Sequence, residues 1–497
     1  MSATPEAAPE IDDAGRIETR GIDYIPPAER HGRPSSLFWV WMSANVTYVY
    51  FVLGGVLILL GLPLWQALVL TILGNLWWVV VGWMAISGPA SGTPSVMIMR
   101  AMFGVRGNKI FGAALGVLIG LFYEILNITF ATFSTVALLG TIGIGVDPGV
   151  QWIVLIVVTV LSFGISVYGH GTILRLSPIF AGLLAACFVV VGVFVFGAAD
   201  FGYQAAPLAT SDHWGLLLLG FAIVASGPLS WGTSADYSRY LPATVSKRAV
   251  VTFTALGGFV PAVVIGALGV LAGTSIDMTD PQVAIADILP AWLYPIFLFV
   301  IVLGSITNNV LTSYSTGLYV QALGVRIHRA WSVVLTGVIA AAASAYLVFA
   351  AQSFLDTLNS AIELSVAVLG PLLAVYAVDV LLRRNRYDGI ALNDDTRQSA
   401  FWYRGGFYWP GIISVVVAVG VSLFMVNNSL YVGPIAEALA GADISPIAGP
   451  LIAGVLYAVL WRTTAPYNTV GNRPIETEVA TGTLDRTLTT IETEVPA

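Results

Sequence analysis

The sequence predicts an all-α polytopic membrane protein: twelve transmembrane helices forming two halves of opposite orientation, with helices 1 and 6 discontinuous. Three observations predict this. The composition is that of a bilayer protein, with 57% of the 497 residues hydrophobic and only 10% charged, where a soluble chain carries roughly a quarter charged residues. Apolar runs of spanning length alternate with connections that hold Lys and Arg on one side only. Two of the runs, the first and the sixth, are interrupted by polar residues, and the sixth also by Gly and Pro.

A span needs roughly 20 apolar residues. Such runs lie near 37–61, 63–86, 110–140, 150–168, 175–198, 214–240, 249–273, 291–322, 330–350, 356–382, 406–426 and 447–462. With the N-terminus cytoplasmic, cytoplasmic connections should collect the cations. Arg16, Arg20, Arg30 and Arg33 precede the first span; Arg100, Arg106 and Lys109 follow the second; Arg175 follows the fourth. Arg239, Lys247 and Arg248 fall at the sixth, and Arg326 and Arg329 at the eighth. Arg383, Arg384, Arg386, Arg397 and Arg404 crowd the tenth, and Arg462, Arg473 and Arg486 follow the last, which accounts for all 21 Lys and Arg. The opposite connections carry only acids, among them Asp147, Asp200, Asp277 and Glu437. A miscounted helix would scatter these signs. The expectation is therefore a multi-pass protein of the cell membrane with both termini cytoplasmic.

The chain divides into a disordered cytoplasmic tail (1–36), the first ten spans (37–382), a cytoplasmic loop (383–405), helices 11 and 12 (406–462) and a cytoplasmic C-terminal tail (463–497). The first segment lacks an apolar stretch, so no cleavable signal peptide is expected. One cysteine, Cys187, excludes a disulfide framework and a thiolate metal site. His31, His170, His213 and His328 fall in apparent loops and read as interfacial residues, too scattered for a metal cluster. Neither a cofactor nor a nucleic-acid partner is expected.

The sixth run ends in SGPLSWGTSADYSRYLP at 226–242. Pro removes an N–H and Gly eases non-helical backbone, and freed backbone groups survive in hydrocarbon only against protein or a wet cavity. In the first run, Ser43, Asn45 and Thr47 interrupt WMSANVTYVYFVLGG. The breaks lie five spans apart, an odd number, so they occupy inverted positions, as in transporters that bind cargo at half-helix ends. The connections after spans 2 and 7, at 87–104 and 272–290, both carry Gly and Pro.

Polar residues at membrane depth are functional candidates. In span 1 these are Ser43 and Asn45. In span 3 they are Glu124 and Asn127, beside Phe122 and Tyr123. Glu124 has no Lys or Arg at its depth, which leaves a proton, an ion, a cationic substrate or a protonated structural role. Span 6 offers Ser226, Gly227 and Trp231. Span 8 offers Asn308 and Asn309, which point about 100° apart on a helix, so one faces a ligand and the other a neighbouring helix. Hydroxyls of Ser305, Thr307 and Thr312 suit a small hard cation such as sodium. Glu363 in span 10 reads as a gate or packing residue. Asp236 and Arg239, at the cytoplasmic end of span 6, read as an inner gate or a structural ion pair.

GIDYIPPAER at 21–30, WMSAN at 41–45, GPASGTPSVMIMRAMFG at 88–104, SADYSRYLP at 234–242 and NNVLTSYSTGLYVQALG at 308–324 together resemble the nucleobase–cation symporter-1 family, in its purine–cytosine permease branch. The resemblance implies a LeuT-type fold, with a ten-helix inverted-repeat transport core at 37–382, and uptake of a nucleobase or related heterocycle coupled to protons or sodium. It implies a substrate site between spans 1, 3, 6 and 8, and an ion held by span 1 carbonyls around Ala44 and Thr47 with span 8 hydroxyls. Tyr123-Glu124 and the Ser360 and Glu363 positions depart from that family's pattern of neutral and aromatic residues. They point to a basic heterocycle such as a pyridoxine-like vitamin, or to proton coupling through Glu124.

The expected function is symport of a purine- or cytosine-type base by alternating access. The alternatives are the same fold serving a basic heterocycle, amino acid or organic cation; a channel, which would not need paired broken helices; and an enzyme, for which no nucleophile–base pair is visible.

Overall fold

The computed structural model describes residues 14–205, 210–350, 354–428 and 431–464, without side-chain detail at 210–212 and 354–363. Among the described residues, ten helices are long and apolar enough to cross a membrane. They are Leu64–Ser91, Arg100–Thr141, Pro148–Tyr168, His170–Ala198, His213–Ser238, Lys247–Gly273, Tyr294–Ala322, Arg329–Ala350, Leu364–Leu382 and Ser445–Thr463. Ser35–Asn45 and Tyr48–Leu59, bent by 60° at their junction, form one further span. Trp409–Leu423 is apolar but short, at 15 residues. In chain order these coincide with the twelve predicted runs and are numbered spans 1 to 12.

Span 1 breaks at Val46 and Thr47 without any Gly or Pro. Thr47 is fully extended, at φ −134° and ψ 149°, a conformation that β-branched side chains favour. Span 6 runs as helix to Leu229, carries Pro228 in its last turn, and resumes at Ser234–Ser238. The connections that follow spans 2 and 7 match as well. The first continues through the short helices Ser87–Ser91 and Ser95–Ile98; the second holds Pro281–Ala284 and a 3-10 turn at Ile285–Asp287. The fold is LeuT-type, with two inverted halves and broken helices 1 and 6.

Small residues bring the backbones of spans 1 and 7 together, as is common where helices meet in lipid. A Cβ on Gly54 would collide with the Gly266 carbonyl, and one on Gly269 with the Phe51 carbonyl. Span 3 meets span 8 in the same way, with Gly116 under the Tyr319 ring and Gly120 against Thr316.

Two expectations are corrected at the end of the bundle that carries the Lys and Arg residues. Residues 14–34 do not trail as a tail but pack into the bundle, with Ile25 fully buried and its N–H donating 2.9 Å to Gly92 O. Arg30 Nε donates back to Ile25 O at 2.8 Å and Nη1 to Pro89 O at 2.9 Å. His170 is buried rather than interfacial, because the link between spans 4 and 5 is the single residue Gly169, at φ +96°. Its ring stacks on Tyr240 at 4.3 Å.

Beside this, Asp379 of span 10 is closed in by Arg383 Nε (2.9 Å), Tyr387 OH (2.9 Å) and Tyr457 OH of span 12 (2.6 Å). Arg383 Nη2 reaches Ala101 O at 3.1 Å. Every acceptor of that carboxylate is used, so the cluster staples spans 10 and 12 to the start of span 3.

Replacing Gly54 with Val is expected to destabilise the protein by more than the ~1–3 kcal/mol typical of overpacking, because backbone rather than a side chain must yield. Thermal unfolding in detergent measures this. Gly164→Ala, where nothing lies within 4 Å, should leave the midpoint unmoved.

Candidate substrate and ion site

Interrupting span 1 frees the carbonyls of its first half, and span 8 supplies donors for them. Thr307 Oγ1 shares its proton between Ser43 O (3.0 Å) and Gly304 O (2.9 Å). Asn308 Nδ2 donates to Ala44 O at 2.9 Å. The Asn308 amide oxygen in turn accepts from Asn127 Nδ2 at 2.9 Å, and that amide also donates to Tyr123 O at 2.8 Å. Asn45 closes on its own half-helices, donating to Trp41 O (2.7 Å) and accepting from Tyr50 OH (2.9 Å). A chain of amides thus links spans 1, 8 and 3 across the break.

A cavity of about 120 Å³ lies between the two breaks, span 3 and span 8. A single water needs roughly 10–15 Å³ by the same kind of measure, so there is room for a small molecule. Of the predicted substrate residues, Asn45, Asn127, Ser226, Gly227, Trp231 and Asn308 line it. Ser43 does not; its hydroxyl turns to Val40 O at 2.8 Å. Phe122 is outside too and packs edge-on against Tyr123, which does line the cavity. Asn309 is fully buried on another face of span 8, with both amide atoms unpartnered among the described residues. Glu124 is fully buried and lies outside the lining, facing the hydroxyls of Thr316 and Thr336. The two Asn side chains divide as their 100° separation requires.

Of the predicted cation residues, Ala44 and Thr307 both lie at the break, Thr307 bonded to Ser43 O and Ala44 O accepting from Asn308. Thr47 lines the cavity just past it, and Thr312 lines it while donating to Asn308 O at 3.1 Å. Ser305 is buried two residues before Thr307. The oxygen atoms here are of the type that hard cations take. Glu363 lies outside the residues whose side chains are described.

Sequence reasoning missed Tyr50, Thr316 and Tyr319, which line the cavity together with Ser230 and Thr233 of the broken stretch at 226–242. The span 8 members repeat at helical intervals from Asn308 (308, 312, 315, 316, 319), a periodicity that was available. Thr233 is notable because its buried hydroxyl has no partner among the described residues, leaving a donor and acceptor at the span 6 break. Below the cavity, Trp41 packs edge-on against Trp231 (5.2 Å), Tyr237 (5.4 Å) and Trp78 (5.4 Å), which joins the half-helices of spans 1 and 6 to span 2.

The basic end of the bundle is sealed by a residue from the N-terminal segment. The Glu18 carboxylate accepts from Arg239 Nη2 (2.8 Å), Tyr240 OH (2.6 Å), Tyr314 OH (3.0 Å) and the His170 N–H (3.0 Å). Arg329 Nε lies 3.5 Å away. Glu18 therefore ties spans 5, 6, 8 and 9 together. Arg239 pairs with Glu18 rather than with Asp236. The expected ion-pair role of Asp236 is corrected: its Oδ1 accepts the Ser95 N–H at 2.7 Å while Ser95 Oγ accepts the Ala235 N–H at 3.1 Å. The two short helices cap each other.

A LeuT-type bundle with two facing helix breaks and a cavity between them is the arrangement that secondary transporters use. The chain belongs to the family described as permeases for cytosine/purines, uracil, thiamine and allantoin, whose sequence profile matches residues 24–449. It is 26% identical to a putative purine-cytosine permease of Bacillus subtilis (strain 168) over 90% of this chain and 96% of that one. It is likewise 26% identical to a purine-cytosine permease of Emericella nidulans, over 89% and 88%. Its fold matches that of Mhp1, a nucleobase–cation-symport-1 family transporter solved in a closed conformation with bromovinylhydantoin bound. The TM-score is 0.71 at 18% identity, covering 90% of this chain and 95% of that one.

Removing the Glu18 charge leaves two buried arginines without their anion, and breaking a buried pair costs about 3–5 kcal/mol. Glu18→Gln is therefore expected to open the basic end. In a Cys187→Ser background carrying Thr233→Cys, labelling by a membrane-impermeant thiol reagent from that side should speed up roughly tenfold for each 1.4 kcal/mol lost. An unchanged labelling rate would remove Glu18 from the seal.

Proposed function

We propose that this protein imports a neutral nitrogen heterocycle of the purine or cytosine type by cation symport, through a ten-helix transport core at 37–382. The observation that carries this reading is the chemistry of the cavity wall. Among the described residues that line it are amides, hydroxyls and aromatic rings, and no charged side chain. The rings of Tyr50, Tyr123 and Trp231 offer faces against which a flat heterocycle packs. Asn127 and Asn308 offer donors and acceptors for its edge. An amino acid, an organic cation or a protonated pyridine would bring a charge into this wall without a counter-charge, which is costly in an apolar surround. Of the two carboxyls that raised the prospect of a basic substrate, Glu124 lies off the cavity and Glu363 lies outside the residues whose side chains are described.

The basic end faces the cytoplasm in this reading, as the distribution of Lys and Arg favours. Glu18, Arg239 and Arg329 then form the inner gate. Base and cation bind at the breaks, the outer side closes over them, and parting of the Glu18 cluster releases both inward.

Uptake into proteoliposomes tests this with a panel of cytosine, adenine, pyridoxine and amino acids. Saturable uptake of cytosine or a purine is expected to dominate; dominance by an amino acid or a cationic amine would contradict the reading. Asn308→Ala removes a donor to Ala44 O and leaves buried partners unmet, a cost of about 1–3 kcal/mol, so affinity should fall roughly tenfold or more. Asn309→Ala should change it less than about twofold. Equal effects of the two substitutions would place the substrate elsewhere.

A further inference from the structure

Glu124 stands in the middle of span 3, fully buried, one turn before Asn127, and takes no part in the cavity wall. Among the described residues neither of its carboxyl oxygens has a hydrogen-bond partner, and no basic side chain pairs with it. Two hydroxyls face it, Thr316 from span 8 and Thr336 from span 9. Both already donate to backbone: Thr316 to Thr312 O at 2.8 Å, Thr336 to Val333 O at 3.1 Å. What each has left for Glu124 is lone pairs. A carboxylate offers only lone pairs in return, whereas a carboxylic acid offers one O–H. The surroundings are therefore complementary to the protonated acid.

The other titratable groups on the elements packed here are engaged elsewhere. Tyr123 turns toward Ser365, and Tyr314 and Arg329 serve the Glu18 cluster. Tyr319 lines the cavity, and Tyr294 bonds to Gln282 O at the far end of span 8. Lys109 lies near the start of span 3 beside Gly324, and Tyr168 and Tyr346 are exposed. Among the described residues, no ionised group is set against Glu124.

We propose that Glu124 carries the coupling proton, in a site formed with Thr316 and Thr336 at the junction of spans 3, 8 and 9, apart from the substrate cavity. Thr316 lines the cavity and also faces Glu124, so one hydroxyl connects the two. At the helix break, the Ser43 and Ala44 carbonyls already receive protons from Thr307 and Asn308, and no metal ion is needed to satisfy them. Coupling follows from burial. An ionised, unpaired carboxylate destabilises the contact of span 3 with span 8, and the same contact holds Asn127 against Asn308. That contact closes around the base only when Glu124 is protonated. One proton enters with each base and leaves with it, so transport of a neutral base moves one positive charge.

This inference rests on the symport reading above, and the test separates the two. The full-length protein in proteoliposomes is assayed for counterflow exchange of radiolabelled cytosine and adenine, for their accumulation under an inward pH gradient, and for base-dependent proton uptake with a pH dye. The wild type is expected to accumulate base on acidification, without sodium. Glu124→Gln, which is permanently neutral, should still exchange base but lose proton uptake, with accumulation falling at least tenfold. Thr336→Val should shift the pH midpoint of uptake while exchange persists. Proton flux intact in Glu124→Gln, or accumulation driven by sodium in the wild type, overturns the proton site and leaves the symport reading standing. Absence of any base exchange in the wild type overturns both. If Glu124→Gln does not insert, Thr336→Val decides, and an unmoved midpoint counts against the site.

Discussion

A membrane helix cannot be interrupted without finding partners for the backbone groups it frees, and in hydrocarbon each one left unmet costs several kcal/mol. That constraint organises this protein. The carbonyls of Ser43 and Ala44 are met by Thr307 and Asn308, so spans 1 and 8 are held in one register. Asn127 holds Asn308 in turn, and span 3 joins them. The candidate cavity is the space left over between elements already committed to each other. Its polar wall is built from the same amides that satisfy the break, which explains how a site can be polar yet uncharged so deep in a bilayer protein.

The basic end obeys the same rule with charge in place of backbone. Arg239 and Arg329 are fully buried, and buried guanidinium groups need an anion and acceptors. The anion comes from residue 18, over 200 positions before Arg239 in the chain. Because Glu18 meets four spans from both halves, releasing it frees all of them at once, as a gate requires. The Asp379 cluster has equally good geometry but joins spans 10 and 12 to the start of span 3. It reads as a fixed staple, while the Glu18 cluster joins spans that part in the proposed transport cycle.

Much of this was legible in the sequence, for physical reasons. Run lengths and the sign of connecting charges report bilayer thickness and topology, so the twelve segments emerged intact. The breaks were legible because Ser43, Asn45 and the Gly-Pro pair at 227–228 do not belong in a plain spanning helix. Azimuth was not legible. Depth alone could not say that Glu124 turns to span 9 while Asn127, one turn on, enters the cavity, because helix rotation is set by packing against spans 8 and 9. Nor was Glu18 legible, since a polar segment with no apolar run gives no signal of burial.

The most direct measurement is a structure of the protein with cytosine or adenine bound. The account predicts ligand density between the two helix breaks, with the ring against Tyr123 or Trp231 and its polar edge on Asn127 and Asn308. Glu124 should remain out of contact with the ligand. Density outside this cavity, or a base whose edge is read by Glu124 directly, would contradict it.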